Sequence, residues 1–144
     1  MSMAGLGRLS SAERLMLAGL TPSMQATARA HRAAVLALGL PWTVVSGRRS
    51  FAQQTWLFEH RASSNVPVAR PGYSRHELGE AFDIATASIS VRDRARIGHL
   101  GEALGLTWGG RWQRPDPGHF EADSRQSAQG SRLTFLVAIA FLLS

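Results

Sequence analysis

A chain of 144 residues, 44% hydrophobic and 18% charged, suits one globular domain with a core large enough to need no covalent staples. It has no cysteine, which excludes disulfides and thiolate zinc sites, so any bound metal must rest on histidine and carboxylates. All 16 basic residues are arginine against 10 acidic residues, and the net charge of +6 points to an anionic partner, nucleic acid or a wall polymer, without choosing between them.

The first twenty residues, MSMAGLGRLSSAERLMLAGL, are broken by Arg8, Glu13 and Arg14 and do not read as a secretory signal. Ser10-x-x-Glu13 is a capping box for a short helix ending near Gly19. Thr21-Pro22 supplies N-cap and N1 of a second helix, with Met24, Ala28, Val35 and Leu38 on one face and Gly39 as its stop. His31 falls on that apolar face, as a satisfied core histidine would. LPWTVV, Leu40 to Val45, reads as a buried strand, and Ser50-x-x-Gln53 caps a third helix reaching about Ala62. Ser63 to Tyr73 is loop-like, and EAFDIA, Glu80 to Ala85, alternates as a strand does. Ser90-x-x-Asp93 starts a fourth helix running to Gly105. Trp108 to Gly118 reads as an ordered loop, and His119-Phe120-Glu121 as a final strand. His60 and His99 lie near helix ends, and the arginines at 92, 94 and 96 form a solvated helix face. The mixture, without strict βαβ order, argues for α+β.

This divides the chain into a domain over residues 1–121, a polar linker over 122–132 and a hydrophobic tail over 133–144. The uncharged run Leu133 to Leu143, LTFLVAIAFLL, is shorter than the about 20 residues a spanning helix needs. The roles open to it are docking on the domain, reversible membrane contact, or a plug covered by a partner protein.

Strand geometry then suggests chemistry. If Phe82 and Ile84 face the core, Asp83 faces a cleft, and the same alternation puts His119 and Glu121 together opposite Phe120. Gly79 and Ala81 are small enough to let backbone segments near His76 approach closely. His76, Asp83 and His119 are the residue types of a three-ligand catalytic zinc set with a fourth position for water, although that set suits several divalent transition metals.

Three segments carry a resemblance. SRHELGEAFD matches S-x-H-x-x-G-x-A-x-D at Ser74, His76, Gly79, Ala81 and Asp83; SGRRS is similar to S-G-x-R; and WGGRWQRPDPGHFE is similar to W-G-G...D-x-x-H-F-E. In this order they resemble the zinc D-Ala-D-Ala carboxypeptidase and L-alanyl-D-glutamate endopeptidase family, over a motif-bearing core of roughly residues 20–121. The resemblance implies a single compact α+β domain of the hedgehog/DD-peptidase type, with a small antiparallel sheet flanked by helices. It implies one zinc ion per chain on His76, Asp83 and His119, Asp116 as catalytic base, Arg49 binding and polarising the scissile carbonyl, and Ser74 giving a hydrogen bond in the cleft. Glu121 rivals Asp116, and Arg48 rivals Arg49. Trp108 and Trp112 read as packing residues, one of which could line the cleft.

The function so implied is hydrolysis of peptidoglycan stem peptides, most specifically the L-Ala–D-Glu bond, by an endolysin-like enzyme made in the cytoplasm and acting on the wall after release or delivery. The Asp-x-x-His form of the last motif favours this over a D-Ala-D-Ala carboxypeptidase. A non-catalytic, metal-bearing wall-binding module is the reading from another class. With no nucleic-acid-binding motif beside the charge, nucleic acid is not an expected partner, and the positive charge is expected to draw the protein to the wall.

Overall fold

A computed structural model describes residues 7–123. The tail and all but the first two residues of the expected linker lie outside the described residues. Ala122, placed in that linker by the sequence, is instead the last residue of a strand.

Four helices form where the capping chemistry starts them: α1 Ser11–Ala18, α2 Pro22–Ala37, α3 Phe51–Glu59 and α4 Val91–Ala103. Ser10 and Ser50 close reciprocal capping boxes with Glu13 and Gln53, while Thr21 and Ser90 cap through Met24 N and Asp93 N. α2 stops at Ala37, two residues before Gly39, whose φ of 73° is costly for residues with a Cβ. α3 ends at Glu59 rather than near Ala62, and the chain tightens into a 3₁₀ turn at Arg61–Ser63.

The sheet has four strands, β1 Val44–Ser46, β2 Ala81–Ile84, β3 Leu106–Trp108 and β4 His119–Ala122, in the order β1-β2-β4-β3 with every pair antiparallel. Two expectations are corrected here. The strand expected over Leu40 to Val45 starts only at Val44: Pro41 has no N–H to give a ladder, and Trp42 instead sends its indole N–H to His31 Nδ1 at 3.0 Å. The segment beginning at Trp108 is also not wholly loop. Trp108 ends β3, a strand the sequence reading does not contain, and Gly109–Arg111 is a 3₁₀ turn.

Alternation sorts the central strands as expected. Phe82, Ile84 and Phe120 point into the core, with Phe82 and Phe120 stacked at 5.5 Å between ring centroids. They meet Met24, Ala28 and Val35 of α2 and Ile97 of α4 in one apolar cluster. Each large side chain so buried contributes about 1.5–3 kcal/mol. α4 can lie on the sheet because position 98 is glycine: a Cβ there would sit 2.2 Å from the Trp108 ring.

Candidate metal centre and its cleft

The β2–β4 register does most of the assembly. Asp83 stands opposite His119, Phe82 opposite Phe120 and Ala81 opposite Glu121, so core residues alternate with polar residues facing away. The third group, His76, arrives on a 3₁₀ turn, Arg75–Leu78, just ahead of β2. Ser74 caps that turn, accepting His76 N–H at 3.3 Å, while Glu77 accepts the backbone N–H groups of Ser74 and Gly72. Gly79 ends it in the left-handed region, φ 69°, and its carbonyl accepts Thr21 N–H at 3.0 Å. A Cβ on Gly79 would come within 3.0 Å of the Gly19 carbonyl oxygen, so the close approach expected around His76 is realised against the α1–α2 corner.

His76, Asp83 and His119 each offer a ligand atom, and these atoms lie within 4.8 Å of one another. His76 Nδ1 bonds the Gly47 carbonyl at 2.7 Å; a carbonyl only accepts, so Nδ1 carries the proton and Nε2 faces Asp83 Oδ2 at 3.2 Å. His119 is arranged the other way round, with Nδ1 on Asp83 Oδ1 and Nε2 on Glu121 Oε2, both at 2.8 Å. Each imidazole thus turns one nitrogen to the centre and ties the other to an acceptor outside it, the pattern that orients metal-binding histidines. A backbone clamp joins two of the motifs: besides the Gly47 contact, Arg49 N–H bonds the His76 carbonyl at 3.0 Å.

Charge at the centre follows from this geometry. Burial would raise the Asp83 carboxyl, but hydrogen bonds from His119 and then His76 outweigh it and hold the group well below the usual carboxylate range. Burial would lower His119, yet its bonds to Asp83 and Glu121 push it up to about 9. The cluster therefore draws positive charge, which a proton or a divalent cation can supply, and its donor set of two imidazoles and one carboxylate fits a zinc ion. Asp116 is raised, first by burial and then by the charge of Asp83.

All six sequence-nominated residues line one cavity of about 320 Å³: Arg49, Ser74, His76, Asp83, Asp116 and His119. Arg49 is the arginine that enters; it donates to Asp83 Oδ2 at 2.8 Å and to Ser46 Oγ at 3.0 Å, whereas Arg48 is exposed and does not line this cavity. Ser74 has a structural task as cap that the resemblance does not imply. Its signal was present, since Ser74-x-x-Glu77 has the same spacing as the capping boxes before α1 and α3. Of the two tryptophans, Trp112 lines the cleft, 5.0 Å from the His119 ring, and Trp108 is buried against α4. Gln54 was missed. It is 1% exposed, accepts from Arg49 Nη1 at 3.3 Å and donates to the Ala69 carbonyl, while its neighbour Gln53 serves the α3 cap. A glutamine inside a helix carries no motif, so only the fold reveals it.

Fold and centre define a metallopeptidase-like protein, and comparison with known proteins gives the family. The model described as D-alanyl-D-alanine carboxypeptidase, of the M15 peptidases, matches residues 68–122. Over 113 residues the chain is 30% identical to the peptidoglycan L-alanyl-D-glutamate endopeptidase CwlK of Bacillus subtilis, covering 66% of this chain and 68% of CwlK. The chain belongs to this peptidase family. A longer B. subtilis relative is matched over only 27% of its own length. Among solved structures, the fold is similar to the L-Ala D-Glu endopeptidase ChiX of Serratia marcescens, with a TM-score of 0.59 at 24% identity, covering 86% of this chain and 96% of ChiX. It is also similar to the D,D-pentapeptidase VanY, solved in complex with Zn(II), with a TM-score of 0.58 at 16% identity, covering 87% of this chain and 79% of VanY.

Proposed function

We propose that this protein is a zinc-dependent endopeptidase that hydrolyses the L-Ala–D-Glu bond of peptidoglycan stem peptides. The observation that carries the reading is the convergence of His76, Asp83 and His119, with ligand atoms within 4.8 Å of one another, in a cleft that Arg49 and Asp116 also line. CwlK and ChiX, both named for cleavage between L-Ala and D-Glu, support the choice of bond. The zinc in the VanY structure supports the choice of metal.

His76, Asp83 and His119 would hold the ion. When bound, zinc lowers the pKa of water to about 7 and polarises a carbonyl. Asp116, with its carboxyl raised by burial, accepts a proton from the attacking water and returns it to the leaving amine. The Arg49 guanidinium, fixed by Ser46, Gln54 and Asp83, is positioned to bind the scissile carbonyl and stabilise the oxyanion that develops there. Glu121 is less suited to the base role because its carboxylate is engaged by His119, whose ring it orients. Ser74 serves the substrate cleft mainly by holding the turn that carries His76.

The reading places the work of the protein at the bacterial wall after release or delivery from the cytoplasm, including an endolysin-like use in lysis. The positive charge supplies attraction to the anionic wall, and binding to isolated walls is expected to weaken as salt rises. The deciding experiment incubates purified protein with bacterial sacculi, with and without a chelator, and identifies new termini by mass spectrometry. Chelator-sensitive appearance of N-terminal D-Glu is expected. Release of terminal D-Ala alone would point to a carboxypeptidase, and absence of both to a non-catalytic module.

A further inference from the structure

A second groove, of about 410 Å³, lies on the other side of Arg49 between α1, the end of β1 and α3. It shares Arg49 and Leu57 with the catalytic cleft, so the two adjoin at those side chains. The proposed function leaves its features unexplained. Trp56 is 59% exposed, unusual for the largest apolar side chain unless it meets something. Its indole is nevertheless held: the His60 ring stacks on it at 4.0 Å and 19°, and His60 Nδ1 is in turn bonded to the Trp56 carbonyl at 2.7 Å. Beside it stands Arg48, exposed and without an ion pair among the described residues.

We infer that this groove is a saccharide subsite, taking the sugar chain to which the stem peptide is attached. The inference rests on the L-Ala–D-Glu reading. In that substrate only one amino acid, about 3.5 Å of chain, separates the scissile bond from the lactyl group of the amino sugar, so the saccharide must lie against a wall adjoining the cleft. A flat, pre-held aromatic ring suits the apolar face of a pyranose, which needs contact area at little cost in ordering. The guanidinium of Arg48 supplies several N–H donors for acetamido carbonyls and hydroxyls, acceptors that carry no formal charge. The groove thus offers an apolar platform beside a hydrogen-bond donor, the combination an N-acetylated sugar presents in complement.

The test compares two substrates, a free stem peptide and the same peptide on a GlcNAc-MurNAc disaccharide, in the wild-type protein and in Trp56→Ala, Trp56→Phe and Arg48→Ala. Trp56→Ala is expected to raise KM for the disaccharide-linked substrate about tenfold, leaving kcat/KM for the free peptide unchanged. Trp56→Phe restores most of the loss, and Arg48→Ala gives a smaller loss confined to the same substrate. Equal effects on both substrates, no effect of Trp56→Ala, or a saccharide preference that disappears instead with Tyr73→Ala, a residue that lines the catalytic cleft and not the second groove, would overturn the subsite. In parallel, the Trp56 indole N–H resonance is followed by NMR as the disaccharide alone is added. A saturable shift without any hydrolysis would sink the peptidase reading and keep the groove; hydrolysis with no shift would do the reverse.

Discussion

The two faces of strands β2 and β4 differ in chemistry although their residues alternate along the same backbone. On the inner face, Phe82 and Phe120 pack against His31, whose ring centroid lies 4.5 Å from that of Phe120. On the outer face, Asp83 and Glu121 bracket His119. Both histidines are buried, at 0% and 7% exposure. His31 accepts from the Trp42 indole and donates to the Ile97 carbonyl, with no carboxylate hydrogen-bonded to it among the described residues, so burial drives its pKa down to about 4. His119 has two carboxylates and goes up to about 9. What a buried imidazole becomes, a neutral core strut or a cation seat, depends on the charge of its partners rather than on depth.

The contrast can be broken on the outer face first. Stripping metal with a chelator is expected to abolish hydrolysis, and stoichiometric zinc to restore it; full turnover by metal-free protein, checked by elemental analysis, would refute the proposed chemistry. Asp116→Asn should cost about 10²–10⁴ in kcat while zinc content is unchanged, since its carboxyl moves protons and is not a ligand. Loss of zinc together with activity in that variant would move Asp116 into the metal set.

On the inner face the expected effect is on stability. His31 is neutral when folded and has an ordinary value near 6.5 when unfolded, so the unfolded chain binds more protons between the two values. Its contribution is fully present above pH 6.5 and is lost as pH falls toward 4, amounting to about 3 kcal/mol. Denaturant melts across that range test this, with His31→Gln expected to flatten the His31 component of the slope.

A smaller change sharpens the comparison on the outer face. Glu121→Ala should weaken zinc binding about 10–100-fold by releasing the far side of the His119 ring, and Glu121→Gln, which keeps an acceptor, should weaken it less. Competition with a chromogenic chelator reads this directly. Zinc binding near pH 7.5 should also release about one proton from His119, visible calorimetrically in buffers of different ionisation enthalpy.

Much of this was legible in the sequence for a local reason. Capping boxes and period-two alternation act over three or four residues, so the starts of all four helices and the facing of Asp83, His119 and Glu121 followed directly. What escaped was decided by distant partners. β3 is three residues long and exists because β4 pairs with it; the strand expected from Leu40 starts only at Val44 because Trp42 bonds His31; Gln54 matters only because Arg49 lies beside it. Ser74 is the middle case: its capping spacing with Glu77 is readable in the sequence, whereas the resemblance implies only a hydrogen bond in the cleft.

The clamp on His76 has a further consequence. Two peptide groups, the carbonyl of residue 47 and the N–H of residue 49, grip one histidine from both ends. Chain length across this corner is therefore itself a determinant: one residue inserted between positions 47 and 49 would delete no donor atom yet throw the imbalance of a whole peptide unit into the grip. An engineer grafting loops onto this scaffold must leave that span at its native count, and keep Ser46 and Ser50 beside it, which hold Arg49 and start α3.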